Sequence, residues 1–398
     1  MTGRTGKRRF LGLLWSLILT CSLITGMSMS AWAQEAGTVK GADQDIVVLY
    51  TNDVHCAIDE NIGYGGLALY KKQMMNQTPY VTLVDAGDAI QGAPVGTLSE
   101  GGYIIDIMNQ TGYDVAVPGN HEFDYGMPRF LELAGKLNCG YYSCNFISTA
   151  SGQSVFAPYK MISYGDTQVA YVGVSTPESF TKSTPAYFQD ANGNYIYSFC
   201  EDADGTAFYN QVQSAVDSAR AEGAEFVILV GRSGKENGIT ERWSAGSLIG
   251  HIRGVDACID GHSHETTLSM IVKDADGKDV IVTQTGTKLA NIGKMIIHTD
   301  GTISTELISE VVPSEVNRTY TVQKNDSLSR IAKRELGSYD RWREIYDSNR
   351  DKISDPGTIY PGMVLTIRQG SVVNENGRAV DPDTHSLIEQ IKGQFNEP

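Results

Sequence analysis

Positive charge is in short supply in this chain relative to negative charge. Its 398 residues hold 32 Lys+Arg against 47 Asp+Glu, a formal charge of −15. The basic face that phosphate-backbone binding needs is therefore missing, and no nucleic-acid polymer is expected as a partner. Long apolar runs are also missing beyond the first thirty-odd residues, so no later segment is expected to span a bilayer. Cysteine is scarce, with six in the chain and no C-x-x-C pair, which argues against a cysteine-built zinc site and against a disulfide-stapled small fold. Apolar side chains are not scarce: 41% of residues are hydrophobic, enough for a large packed core, which excludes a disordered or fibrous chain. The length allows two or three domains.

The one apolar stretch lies at the start. Arg4, Lys7, Arg8 and Arg9 form a cationic opening, an apolar run begins at Phe10-Leu11-Gly12-Leu13-Leu14-Trp15, and Ala31-Trp32-Ala33 precedes Gln34 as an A-x-A cleavage site. Residues 1–33 therefore read as a secretory signal. An uncleaved anchor is the lesser reading, because Ser, Thr and Gly dilute the run before it reaches spanning length, and Cys21 after Leu19-Thr20 is a poor lipoprotein site. Cleavage removes four cations and no acid, leaving 28 Lys+Arg against 47 Asp+Glu and a charge of −19. The mature chain is expected to be soluble and secreted, without a membrane span. It keeps Cys56, Cys139, Cys144, Cys200 and Cys258. The odd count means at least one free thiol or an intermolecular bond, and Cys139/Cys144, the only close pair, is the expected disulfide.

From about 45 to 313 the chain alternates short β-branched runs with helical periodicity. Ile46–Tyr50, Tyr80–Val84, Tyr113–Val117, Phe226–Val230 and Val255–Ile259 read as buried strands. A helix is expected over 206–222, where Phe208, Val212, Ala215, Val216 and Ala219 share a face. The pattern is α/β. Around residue 314 the texture changes to a compact segment at 318–368, with linkers read at 314–317 and 369–382 and a terminal helix carrying Leu387, Ile388, Ile391 and Phe395 on one side.

Polar residues cluster where four of these strands end. Thr51-Asn52-Asp53-Val54-His55 follows the first and Asp85-Ala86-Gly87-Asp88 the second; Gly119-Asn120-His121-Glu122-Phe123-Asp124 follows the third and Asp260-Gly261-His262-Ser263-His264 the fifth. Carboxyl ends of strands in an open α/β sheet face one crevice, so loops spread over two hundred residues can share one site. Four of the seven histidines lie in them. Carboxylates with neutral imidazoles suit divalent first-row metals, and an Asp that bridges two ions gives the pair used in phosphoester hydrolysis. A single D-x-H or H-x-H is more often an accident than a site; four such loops at successive strand ends are much harder to obtain by chance.

These segments resemble, in order, the metal-binding blocks of the calcineurin-like metallophosphoesterases, and more narrowly the bacterial 5′-nucleotidase / UDP-sugar hydrolase family. The resemblance covers 45–313 and implies a four-layer α/β/β/α sandwich with two divalent metal ions, Zn, Mn, Co or Fe. Carried over by position, it implies that Asp53, His55 and His264 hold one ion, that Asp88 bridges, and that Asn120 and His262 hold the second. It further implies that His121 stabilises the transferring phosphoryl group and the leaving oxygen while Asp124 orients its ring. One block departs. After the fourth strand the family carries a Gly-His-Leu-Gly-like sequence whose histidine completes the second ion's site, and here Gly231-Arg232-Ser233-Gly234 stands instead. A guanidinium has no lone pair for a metal. The second ion is then held weakly, or Arg232 pairs with phosphate, or the site is degenerate. A functional but altered site is the favoured reading, and His251, in a helical stretch, is not expected to rescue it.

Residues 318–368 resemble a LysM domain through Tyr320-Thr321-Val322-Gln323-Lys324-Asn325-Asp326-Ser327-Leu328, Ile331-Ala332, Trp342, Ile345-Tyr346, Asn349 and Ile359-Tyr360-Pro361-Gly362-Met363-Val364-Leu365. A strand–helix–helix–strand module is expected, with helices over Ser327–Leu336 and Asp340–Asn349. Asn325 replaces the usual glycine and tolerates the turn. The resemblance implies binding of peptidoglycan or another N-acetylglucosamine glycan, hence cell-wall association; a plain spacer is the bland alternative. The helix near Asp383–Phe395 resembles the family's linker into a nucleobase-binding domain, and nothing resembling that domain follows in this sequence. The leading expectation is an exported, wall-tethered phosphoesterase acting on nucleotides or other phosphate esters through metal-activated water. Its rival is a glycan-binding surface protein whose phosphatase site has degenerated at Arg232.

Overall fold

Alternation along the strands decides the layering. The computed structural model describes residues 42–231, 233–234, 240–313, 315–336 and 338–396; the signal read at 1–33 and Arg232 both lie outside the described residues. Two sheets are built from β1 (Ile46–Thr51), β2 (Val81–Asp85), β3 (Val115–Ala116), β4 (Tyr159–Tyr164), β5 (Thr167–Val174), β6 (Phe226–Gly231), β7 (Ala257–Ile259), β8 (Thr266–Lys273), β9 (Asp279–Thr285), β10 (Ile292–Ile297) and β11 (Ile303–Ile308). The first sheet runs β11-β10-β1-β2-β3 and the second β8-β9-β7-β6-β5-β4. Strands β1 to β3 are mutually parallel, as are β5, β6, β7 and β9; the remaining strands are antiparallel additions at the edges.

Ile46, Val48 and Tyr50 face inward with Val84 and Val115, against Tyr171, Ile228, Val230, Ala257 and Ile259 of the second sheet. Their neighbours Val47, Leu49 and Leu83 face the other way, onto helices α1 (Gly63–Met75) and α2 (Gly102–Thr111). In the second sheet Ala170, Val172, Val227 and Leu229 turn outward onto α3 (Thr206–Ala221) and α4 (Ala245–His251). A period of two on strands buried on both faces thus gives three apolar layers and the α/β/β/α order that the family resemblance implies. Every expected strand of this part is present, shifted by one or two residues.

The Cys139/Cys144 pairing is overturned. All five described cysteines are free thiols. Cys139 belongs to the core beside the first sheet and Cys144 to the core beneath the second, so the two point into different layers despite their short separation in sequence.

Beyond residue 313 a small module has its own core of Val322, Leu328, Ile331, Ala332, Ile345, Leu365 and Ile367. It consists of β12 (Glu315–Thr321), α5 (Leu328–Leu336), α6 (Trp342–Asp347) and β13 (Val364–Gly370). Asn325 takes φ +70°, the left-handed turn expected of it. Helix α6 is shorter than the 340–349 expectation. A 3-10 turn over Tyr339–Arg341 precedes it, and buried Asn349 leaves the helical path to bond strand β13, accepting from Thr366 N at 2.6 Å.

The segments read as linkers are paired backbone instead. Glu315 to Asn317 pair with Gly370 to Arg368, and Val372–Val373 pairs with Ala379–Val380 around the Asn374 turn. Helix α7 (Pro382–Asn396) then returns to the first sheet's helical layer, burying Ile388 and Ile391 there. Gly65 is needed at this junction: a Cβ on it would lie 2.9 Å from Val380 Cβ, where Asp381 N donates to Gly65 O.

Candidate metal centre

The loops after β1, β2, β3 and β7 meet at the carboxyl ends of the strands, and their backbones are interlocked. Asp53 N donates to Gly87 O, His55 N to Asp88 O and Cys56 N to Ala89 O, all within 2.9–3.0 Å. Holding side chains at these points requires unusual backbone. Asp53, His55, Asp88, His262 and His264 all take positive φ, between +49° and +80°. Asp and His tolerate this region better than most residues, but five instances in one site are strain that the fold must oppose. Gly92 is obligatory beside them, because a Cβ there would lie 2.7 Å from His55 Cβ and His55 O.

Three ligand atoms converge. His55 Nε2 and His264 Nε2 are 3.0 Å apart, and Asp53 Oδ1 lies 3.1 Å from the second and 3.7 Å from the first. Donors about 2.0–2.1 Å from a common tetrahedral centre lie about 3.3 Å apart, so the spacing fits one divalent ion. His55 Nδ1 donates to Gln91 O, which leaves Nε2 with its lone pair for that ion. Asp88 forms a second group with His55 and His121, their ligand atoms within 4.8 Å of one another. Asp53, Asp88 and Asn120 are buried, whereas His264 is 46% and His121 29% exposed at the side chain. The two carboxylates and Asn120 are thus shielded, and the imidazoles of His264 and His121 face solvent. Cys56, next to His55, is no ligand candidate: burial pushes its thiol up to about 12.

His121 Nδ1 donates to Asp124 Oδ2 at 2.6 Å, and His121 N donates to Asp88 Oδ1 at 2.8 Å. Burial pulls the imidazole pKa down, but the Asp124 bond and the charges of Asp88, Asp124 and Glu122 more than offset it, so the net direction is up. His121 and Asp124 therefore form a hydrogen-bonded pair. Asn120 sits buried at the head of the 3-10 turn His121–Phe123.

His262 is placed differently from the other ligand candidates. Its backbone N donates to Asp53 Oδ2 at 2.9 Å, while its Nε2 lies 3.0 Å from Glu178 Oε2. Burial would raise the Glu178 carboxyl, yet His262 and the two donors of Thr240 bring it down to about 2. His251 lies apart, its ring stacked on Tyr209 at 4.3 Å and its Nδ1 donating to Ser247 O.

Sequence reasoning passed over four residues. Glu178 is one acid among 47 and follows no strand read from the sequence. Ser183 donates to Asp124 Oδ1 at 2.9 Å. Asn52 was legible only as part of a motif; its amide donates to Asp53 Oδ2 at 2.7 Å and its Oδ1 accepts from Thr285 N at 2.7 Å. Glu122, within the third block, is fully buried. Its oxygens accept from Asp88, Ala89, Ile90 and Gly119 N–H.

A family profile described as calcineurin-like phosphoesterase matches residues 46–266, more than half of the chain, and a LysM domain profile matches 320–368. The human 5′-nucleotidase is 30% identical over 242 residues, covering 55% of this chain and 38% of that protein. A 2′,3′-cyclic-nucleotide 2′-phosphodiesterase/3′-nucleotidase of Yersinia enterocolitica is 25% identical over 291 residues, covering 66% and 42%. The chain thus spans well under half the length of these relatives. Among solved structures, a Thermus thermophilus 5′-nucleotidase precursor superposes with TM-score 0.54 at 21% identity, covering 66% of this chain and 54% of its own. A calcineurin-like phosphoesterase from Bacillus subtilis superposes with TM-score 0.56 at 17% identity, covering 88% and 97%. Both support the fold.

Proposed function

Because the chain belongs to the calcineurin-like phosphoesterase family, we propose that it hydrolyses phosphate esters of the nucleotide class at a two-cation centre. The observation that carries this reading is the convergence of Asp53 Oδ1, His55 Nε2 and His264 Nε2 at 3.0–3.7 Å, beside the His121–Asp124 pair. Asp53, His55, His264 and Asp88 would hold one cation; Asp88, Asn120 and His262 would hold the other. Divalent ions, when bound, supply Lewis-acid activation of water and neutralise charge on the transferring phosphoryl group. The chain's own part is orientation and proton handling. Asp124 accepts the hydrogen bond from Nδ1–H of His121, so Nε2 is the atom offered to the leaving oxygen. The buried carboxylates form a fixed floor, while the edges of His121 and His264 are open to solvent. Export is supported by the cationic and apolar start of the sequence, and attachment to N-acetylglucosamine glycans of the wall by the 320–368 match.

The test is phosphate release from a panel of nucleotides, nucleotide sugars and cyclic nucleotides, with manganese, zinc or cobalt added and with chelator. Turnover that needs added metal supports the proposal. One observation favours a second reading: Arg232 stands where the family has a ligand histidine. No turnover with any metal, while the chain still sediments with insoluble peptidoglycan, would establish a glycan-binding protein with an inactive centre.

A further inference from the structure

Asp53, His55 and His264, whose ligand atoms converge, come from both sheets. Asp53 and His55 follow β1 of the first sheet, whereas His264 lies between β7 and β8 of the second. Their spacing is thus a distance between two layers, and contacts that join the layers at this point set it. The chain crosses from β9 of the second sheet to β10 of the first through residues 286–291. The start of that crossing touches both sides of the centre.

On the first sheet's side Asn52 is 1% exposed, and its amide makes the four bonds open to it. Nδ2 donates to Asp53 Oδ2 at 2.7 Å and to Gly286 O at 2.8 Å, while Oδ1 accepts from Thr285 N at 2.7 Å and from Thr285 Oγ1 at 2.8 Å. A backbone carbonyl only accepts and a backbone N–H only donates, so the amide has a single orientation, and that orientation presents N–H to Asp53. Asp53 Oδ2 takes this bond together with one from His262 N at 2.9 Å, and Oδ1 then stands 3.1 Å from His264 Nε2. The Asp53 backbone is held from the same place: its O accepts from Thr287 Oγ1 at 2.8 Å and from Lys288 N at 2.9 Å. On the second sheet's side Gly286 N donates at 3.0 Å to the O of Glu265, the neighbour of His264. Gly286 is needed for that approach, since it takes φ +89° and a Cβ on it would lie 2.8 Å from Thr266 Oγ1.

We infer that residues 285–288 are a fifth loop of the centre, which supplies hydrogen bonds rather than ligands and fixes the spacing of Asp53 against His264, with Asn52 and Thr285 as its positioning residues. The inference rests on the two-cation reading for the ion that these ligands hold. Outer partners of ligand side chains typically contribute about 10–100-fold in metal affinity or activity, and Asn52→Ala is expected to weaken this ion's binding by about that factor. Thr285→Val keeps the shape of the side chain and the backbone bond but removes the hydroxyl bond to Asn52, so a loss of about tenfold, the low end of that range, is expected. Thr285→Ser restores a hydroxyl at the same atom and should bring affinity back to near the wild-type value.

The experiment titrates zinc into the full mature chain, wild type and variants, and follows the binding step that His264→Ala removes. Urea unfolding of the same proteins without metal separates a loss of fold stability from a loss of ligand geometry. The expected result is a step weakened in Asn52→Ala and in Thr285→Val and recovered in Thr285→Ser, all three remaining folded in the absence of metal. If Asn52→Ala does not fold, the valine and serine variants at Thr285 carry the test. A Thr285→Val chain that loses stability without metal yet binds this ion as tightly as wild type overturns the inference, because the contact then serves the fold alone. Equal weakening by valine and serine overturns it too, since the hydroxyl is then irrelevant. Wild type with no zinc step that depends on His264 overturns the phosphoesterase reading of the centre and the inference together; a step that is present and unmoved by the variants overturns the inference alone.

Discussion

Glu122 shows how much of the centre depends on one buried carboxylate. Four backbone N–H groups, from Gly119, Asp88, Ala89 and Ile90, end on its two oxygens at 2.6–3.4 Å. They bind the second ligand loop to the third. Removing the acceptor strands buried donors at about 1–3 kcal/mol each, relieved only where water can enter. Glu122→Ala is expected to lower unfolding free energy by roughly 3–5 kcal/mol and to abolish metal uptake, as read by urea unfolding and metal titration; a loss under about 1 kcal/mol would contradict this. At the entrance, His121→Ala should reduce kcat by about 10²–10⁴, with metal stoichiometry unchanged. Asp124→Asn should reduce it by about 10–100-fold, since an amide no longer fixes the tautomer as a carboxylate does. Steady-state kinetics on a nucleotide with metal in excess separates the two. Residue types at strand ends made the ligand candidates legible, because carboxylates and imidazoles clustered after apolar runs have few other uses. The positive φ angles and the partners Glu178 and Ser183 were not legible, since each exists only where another loop arrives.

Helix α7 belongs energetically to the first sheet's helical layer. Ile388 and Ile391 are each 2% exposed against α1 and α2, and Phe395 meets Tyr103 edge-on at 5.5 Å. Ile391→Ala should cost about 2–4 kcal/mol by the cavity it leaves, measured as a shift in denaturant midpoint without loss of the far-ultraviolet helical signal. Lys392 adds a clamp to Asp59, Glu375 and Glu389. Burial lowers its ammonium pKa, but these three acids more than reverse that, so the folded value stands above the ordinary 10.5. A raised lysine contributes stability fully below its unfolded value and loses it as pH rises through the folded one. The stability difference between wild type and Lys392→Met should therefore be flat up to about pH 10 and shrink above it, which unfolding curves at pH 7, 9 and 11 would show. The apolar face of this helix was readable from Leu387, Ile388, Ile391 and Phe395. Its destination was not, because periodicity gives a face and no partner. The strand pairing of 315–317 with 368–370 was missed for a related reason: polar, edge-paired backbone has no apolar signature.

At the scale of the whole molecule, the small module is inserted between the sandwich and the sandwich's own last helix. Its two ends are adjacent because Val316 pairs with Gln369 and Asn317 with Arg368. Excising 318–368 and joining Asn317 to Gln369 through a two-residue turn should therefore leave α7 docked and phosphate release within about twofold of the full chain, on the view that distant sites act independently. The same excision should remove sedimentation with insoluble peptidoglycan. Equal sedimentation by the shortened chain would remove the tethering claim, and loss of folding would show that the insertion is structural. The net charge of −15 also reads differently at this scale, since under the proposed function a phosphate would meet the exposed edges of His121 and His264 and the cations held beside them, not the bulk charge. The sequence by itself determined the strands, through their short apolar β-branched runs, and the identity of the ligand candidates, through side-chain chemistry at strand ends. Only the tertiary structure decided which layers Cys139 and Cys144 enter, where α7 docks, and which acid among 47 stands behind His262. Those are contacts across long separations, and no local pattern encodes a distance that only the packed chain creates.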